Sequence, residues 1–253
     1  MKKNCILGAL LLAFSNSAAA SSAIHENGVG SDPDGDTNPA TRTYAVVNIN
    51  ANDVRLDQRF KIIDFEPPGG NGDTIKRLKK YGVTFERPVI RQICRGQRYF
   101  RYDSMCTYYA PASGAYAAYY RDDWGRPLAI RFDKPVCAFA VSLYPIGGRE
   151  EEEFEAKIRG WTSDGVALKP ARIKFTWSQN VLKWHVMAGA FFLDRHASRV
   201  EIELEGKKSR SNGFQFLIDD AAYAEDHCND LLDYIKDESG FTTSSTGKID
   251  SRK

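Results

Sequence analysis

Two adjacent carboxylates, Asp219 and Asp220, follow the apolar run Phe214, Phe216, Leu217 and Ile218 in the stretch GFQFLIDDAAYAE. The run has the composition and length of a buried strand. Such a strand disfavours aspartate both by propensity and by the cost of desolvating a charge. A carboxylate pair placed there calls for a partner, and a structural cation held by oxygen ligands is one answer. The other answer is that the pair ends the strand, accepting backbone N–H groups or pairing with an arginine such as Arg55 or Arg59.

A second concentration of chemistry lies between Arg98 and Trp124, where Tyr99, Phe100, Tyr102, Tyr108, Tyr109, Tyr116, Tyr119 and Tyr120 are interleaved with Arg98, Arg101 and Arg121. Sugar rings present flat C–H faces that stack on aromatic rings, and neighbouring Asp or Arg side chains bond the hydroxyls. Tyr109, Tyr120 and Trp124, with Asp122 and Asp123 beside them, are therefore the candidate glycan contacts. Adjacent rings on a strand point to opposite faces, so about half of these aromatics are expected in the core.

Catalysis has little to work with. The chain has no Gly-x-Ser-x-Gly elbow, no His-Glu-x-x-His and no phosphate-cradling glycine loop. Its histidines, His25, His185, His196 and His227, are scattered. Asp122 and Asp123 in YYRDDWG are the best carboxylate pair for glycoside hydrolysis, but the segment reads as a strand end and turn. The expectation is a protein that is not an enzyme.

The elements that must position these groups begin after a leader. MKKNCILGALLLAFSNSAAA, residues 1–20, has two lysines, an apolar run and small residues ending in Ala20, the pattern of a secretory signal peptide. The formal charge of +2 falls to 0 once Lys2 and Lys3 are removed. No global bias towards nucleic acid or anionic membrane remains. Four cysteines follow, Cys94, Cys106, Cys137 and Cys228, and an even number in an exported chain points to two disulfides with three possible connectivities. A hairpin-sized segment favours Cys94 with Cys106, which leaves Cys137 for Cys228.

Residues 21–42 are polar and rich in Gly, Pro, Asp, Asn and Ser, and read as a disordered leader. Asp32, Asp34 and Asp36 imitate the start of a calcium loop, but Thr37 and Thr43 stand where that loop needs glycine and glutamate. A single β-sandwich domain is expected over 43–228, with strands at YAVVNIN, KIIDFE, GVTFE, LAIRFD, CAFAVSLYP, FEAKIRGW, ARIKFTW, RVEIELE and FQFLIDD. The alternation is clearest where Val200, Ile202 and Leu204 separate Glu201, Glu203 and Glu205, the mark of a sheet with one wet face. The pattern predicts an antiparallel sandwich or jelly roll, a short helix over NDLLDYIKDE, and a disordered tail within 229–253.

The ordered motifs IDFE, YGVTFE, IRFDKPVCAFAVSL, GWTSDGVAL and FLIDDAAY, from Ile63 to Tyr223, resemble exported bacterial domains found in proteins that carry the PEP-CTERM sorting tail. Those domains look like galactose-binding-like jelly rolls. The chain lacks the Pro-Glu-Pro signal and terminal apolar helix of that tail. The resemblance implies a structural Ca²⁺ held by a Glu of the first core strand and an Asp of the last, here Glu66 and Asp219, with Asp220 as a further contributor. The expected protein is an exported module, periplasmic or extracellular, that binds carbohydrate. The alternative is a structural or protein-interaction domain of the envelope or extracellular matrix.

Overall fold

The computed structural model describes residues 23–26, 43–47, 59–66, 72–93, 116–122, 125–146, 152–177, 186–206 and 214–238. Thirteen strands and one helix make up its regular structure. The strands are β1 (Ala23–Glu26), β2 (Thr43–Val47), β3 (Lys61–Ile63), β4 (Thr74–Leu78), β5 (Val83–Ile93), β6 (Tyr116–Asp122) and β7 (Leu128–Val136). They continue with β8 (Ala138–Pro145), β9 (Glu152–Trp161), β10 (Ala171–Trp177), β11 (Val186–Phe192), β12 (Ala197–Gly206) and β13 (Phe214–Ala224), and the helix is α1 (Cys228–Glu238).

All strand pairings are antiparallel and follow the order β1-β2-β11-β8-β13-β6-β5-β7-β12-β9-β10, with β3 added to β13 and β4 to β5. The path closes on itself in space: β12 approaches β13, β9 approaches β11 and β10 approaches β2. The result is a barrel-like sandwich, as the strand-and-turn pattern predicts. Its layers press closely enough to exclude side chains at one point. A Cβ at Gly160 of β9 would lie 2.8 Å from the Phe192 ring and 3.0 Å from Ala197 and Leu168.

The core follows from the alternation. On β12, Val200, Ile202 and Leu204 are buried, while Glu203 and Glu205 face outward. Phe65, Phe85, Phe139, Phe192 and Phe216 fill the interior. The wet face carries an ion-pair ladder: Glu86 on β5 is bridged by Arg131 on β7 and Arg199 on β12, and Arg199 also pairs with Glu201 at 2.7 Å. Burial pushes the Glu86 carboxyl up, but hydrogen bonds from Arg199 and Arg131 outweigh it and hold it below the usual carboxylate range. Trp161 donates its indole N–H to Glu201 at 2.8 Å, with the Arg199 guanidinium 5.5 Å from its ring centre.

A second apolar cluster lies under α1, where Leu231 and Leu232 pack with Phe60, Met187, Phe191 and Ala222. Cys137, just before β8, is bonded to Cys228 at the start of α1, with the Cα atoms 5.9 Å apart. This is the expected pairing. Cys94 and Cys106 lie outside the described residues, as do the proposed signal peptide and Asp32, Asp34 and Asp36.

Three expectations need correction. The leader over 21–42 is not wholly without structure, because Ala23–Glu26 pairs with β2, whose backbone edge offers the hydrogen-bonding groups it needs. Strands β4 and β11 lie outside the expected set, β11 being alanine- and glycine-rich, and the strand end expected in YYRDDWG is the end of a longer strand, β6. The aspartate pair does not end its strand, since β13 continues to Ala224.

Candidate functional site

Asp219 and Asp220 owe their position to a bulge. On one edge of β13, Asp219 stands opposite Ser142 of β8 and Ala222 opposite Ala140, so three steps along β13 match two along β8. The extra residue is accommodated by Asp220 at φ 45°, a left-handed conformation that aspartate tolerates better than bulkier residues. Asp219 Oδ1 accepts the N–H of Asp220 at 2.8 Å. Both residues are 1% exposed.

The other edge of β13 changes partner at the same point. Residues through Ile218 pair with β6, and those from Ala221 pair with β3. Glu66, just beyond β3, spans that junction by accepting the N–H of Tyr116, the first residue of β6, at 3.0 Å. Glu66 is thus bonded to β6 near the point where β13 changes partner, and Asp219 and Asp220 lie at that point on β13. Among the described residues no three His, Cys, Asp or Glu side chains converge as a metal-binding group. A cation here would need backbone carbonyls besides carboxylates, which suits calcium with its six to eight oxygen ligands. The donors are of the right chemical kind.

The glycan contacts expected in the tyrosine-rich segment fare differently. Tyr120 is fully buried, its ring centre 5.3 Å from that of Phe216, and its hydroxyl lies 2.8 Å from the Arg126 carbonyl and 3.1 Å from that of Pro127. It cannot stack on a sugar. The alternation rule fails on β6 because Ala117, Ala118, Tyr119 and Tyr120 are all buried in the curled sheet. Asp122 closes β6 opposite Phe214. Tyr109, Asp123 and Trp124 lie outside the described residues.

A cleft of about 450 Å³ opens elsewhere, where four separate segments meet. Lys61 and Ile62 come from β3, Lys80 and Tyr81 from a 3-10 turn (Lys79–Tyr81), Phe132, Asp133 and Lys134 from β7, and Tyr223 and Glu225 from the end of β13. Gly82 makes the convergence possible. At φ 62° it closes the turn by donating to the Lys79 carbonyl, and its own carbonyl accepts the Asp133 N–H at 2.8 Å. A Cβ on Gly82 would sit 3.3 Å from the Asp133 side chain.

Phe132 and Tyr223, with ring centres 5.2 Å apart, are buried and tie the cleft to the core. The Tyr223 hydroxyl donates to the Tyr81 carbonyl at 2.5 Å. Burial, then the nearby Glu225, Tyr81 and Asp133, push the Tyr223 phenol up to about 12, so it is a neutral donor at physiological pH.

Around this floor stand exposed charges. Lys61 pairs with Glu225, Lys134 lies 3.9 Å from the same carboxylate, and Arg77 pairs with Asp133 at 3.1 Å. The Lys80 ammonium is 4.9 Å from the Tyr81 ring centre and donates to its hydroxyl at 3.2 Å. Tyr81 itself is half-buried. The sequence marks these segments as strands, and nothing in it shows that the charged and aromatic residues at their ends converge. The signal lay at the motif ends: Lys61 opens KIIDFE, Tyr81 opens YGVTFE, and Asp133 and Tyr223 close LAIRFD and FLIDDAAY.

No family model matches the chain, and no curated protein matches it. Among solved structures it is similar to a DUF4465 family protein from Bacteroides caccae, at 14% identity and TM-score 0.38, covering 67% of this chain and 88% of that one. It is also similar to the CBM22-1 xylan-binding domain of Xyn10C from Paenibacillus barcinonensis, at 10% identity and TM-score 0.34, covering 62% and 96%. A third similarity is to the CBM61 module TmCBM61 in complex with beta-1,4-galactotriose, at 13% identity and TM-score 0.31, covering 62% and 100%. These are partial likenesses of shape.

Proposed function

We propose that the chain is an exported, non-catalytic module that binds carbohydrate outside the cell on a calcium-stabilised β-sandwich. The observation that carries the reading is the cleft at Tyr81. A half-buried ring at its mouth offers a face for the C–H surface of a sugar, and Lys61, Lys80, Asp133 and Glu225 offer donors and acceptors for hydroxyl groups. The Cys137–Cys228 bridge supports the exported setting, where disulfides persist. No helix among the described residues is long and apolar enough to cross a membrane.

Residues 21–253, calcium-loaded, should bind a restricted set of saccharides on a glycan array, and Tyr81→Ala should weaken that binding by about tenfold or more. The substitution leaves the Tyr81 carbonyl in place to receive the Tyr223 hydroxyl, so the loss would report the ring. Trp124→Ala in parallel tests the tyrosine-rich segment; loss there alone would move the site to Tyr109, Asp122, Asp123 and Trp124. A blank array would favour a protein-interaction role in the envelope or matrix.

The calcium component rests on the buried carboxylate pair Asp219 and Asp220 at the bulge of β13. Calcium at a hundred times its Kd should raise stability by about 2.7 kcal/mol relative to chelator, read as a higher Tm. Equal melts with no bound metal by elemental analysis would remove calcium from the proposal.

A further inference from the structure

The cleft has more positive than negative charge, and this bears on which sugars it accepts. Lys61, Lys80 and Lys134 line it and Arg77 borders it, against two lining carboxylates, Asp133 and Glu225. Glu225 serves both Lys61 and Lys134, and Asp133 is taken by Arg77. Lys80 interacts with the Tyr81 hydroxyl, and Asp64 acts on it only electrostatically from outside the lining. Lys80 thus stands beside the Tyr81 ring with no carboxylate of the described residues in ion-pair contact, and Lys134, which also lines the cleft, has only a long 3.9 Å contact to a Glu225 already paired with Lys61.

We infer that the cleft is selective for an acidic pyranose, with the ring against Tyr81 and an anionic substituent, carboxylate or sulfate, between Lys80 and Lys134. Both substituents are anionic oxygen groups that accept hydrogen bonds from ammonium donors, and the interaction is stronger than a neutral hydroxyl could make with them. Because the lysines are exposed, the attraction is screened by salt. The inference rests on the carbohydrate reading of the cleft.

The test compares three probes by calorimetry at low and high salt: an oligogalacturonate, the same oligomer fully methyl-esterified, and a sulfated galactan oligomer. The acid should bind about tenfold or more tighter than its neutral ester, and the gap should narrow as salt rises. Lys80→Ala with Lys134→Ala should lower affinity for the acid far more than for the ester, so that the preference is lost while the circular dichroism spectrum is unchanged, whereas Lys174→Ala, on the remote strand β10, should retain the preference. Tighter binding of the sulfated oligomer than of the carboxylated one would support the inference and identify sulfate as the group. Equal affinity for acid and ester, with both bound, would overturn the charge selectivity and leave the carbohydrate reading standing. No binding of any of the three, with a blank glycan array, would overturn both.

Discussion

Replacing Cys137 and Cys228 together by alanine should cost the domain about 4 kcal/mol, because the bridge closes a loop whose ends are 91 residues apart in sequence. For a domain of this size each kcal/mol corresponds to roughly 2–4 °C, so the Tm should fall by about 10 °C. The loop contains β8 to β13, so the bridge restricts the unfolded chain over about half the described body. In the native state it also holds the first turn of α1 to the sheet, keeping Leu231 and Leu232 over Phe60, Met187 and Phe191. The double variant should therefore show two effects: a lower Tm, and earlier hydrogen exchange in α1 than in β12. A Tm within about 1 °C of wild type would show that the bridge constrains little, as happens when the unfolded chain retains structure. The variant is a cleaner test than reductant, which would also act on any bridge between Cys94 and Cys106.

The same bridge shows what was legible in the sequence and why. Pairing Cys137 with Cys228 followed from a hairpin-sized segment that favours Cys94 with Cys106 and leaves the other two, and strand β12 needed only its period of two, since Val200, Ile202 and Leu204 report the core without reference to any other segment. Strand β11 has no such signal. In VMAGAFF the residues from Met187 to Phe192 are all buried between β2 and β8, where small residues fit close neighbours and no alternation survives. The bulge at Asp220 was legible only as an anomaly, a carboxylate pair where apolar residues should continue. Its cause is a register shift against β8 and a change of partner from β6 to β3, which one strand's sequence does not encode. The Tyr81 cleft is further from the sequence still. It joins residues from Lys61 to Glu225, and only the pairing of β3 with β13 and the Gly82 contact to Asp133 bring them together.

Tyr120 is the sharpest case, because sequence and structure assign it opposite roles. As a glycan contact it would be dispensable for folding, and its loss would weaken sugar binding alone. As the structure has it, the ring is fully enclosed against Phe216 and the hydroxyl is shared between two backbone carbonyls, those of Arg126 and Pro127. Tyr120→Ala should then destabilise the domain by about 3–5 kcal/mol, the range for emptying a large aromatic site in a packed core. That is a large share of the roughly 5–15 kcal/mol by which a domain is stable. Tyr120→Phe keeps the ring and removes only the hydroxyl, so it should cost about 1 kcal/mol, the net worth of a typical hydrogen bond. Urea melts of both variants, with saccharide affinity measured on the folded fraction, separate the two roles. The core assignment requires a steep stability loss for alanine, a small one for phenylalanine, and unchanged affinity per folded molecule in both. A Tyr120→Ala protein as stable as wild type but unable to bind sugar would return the ring to the surface.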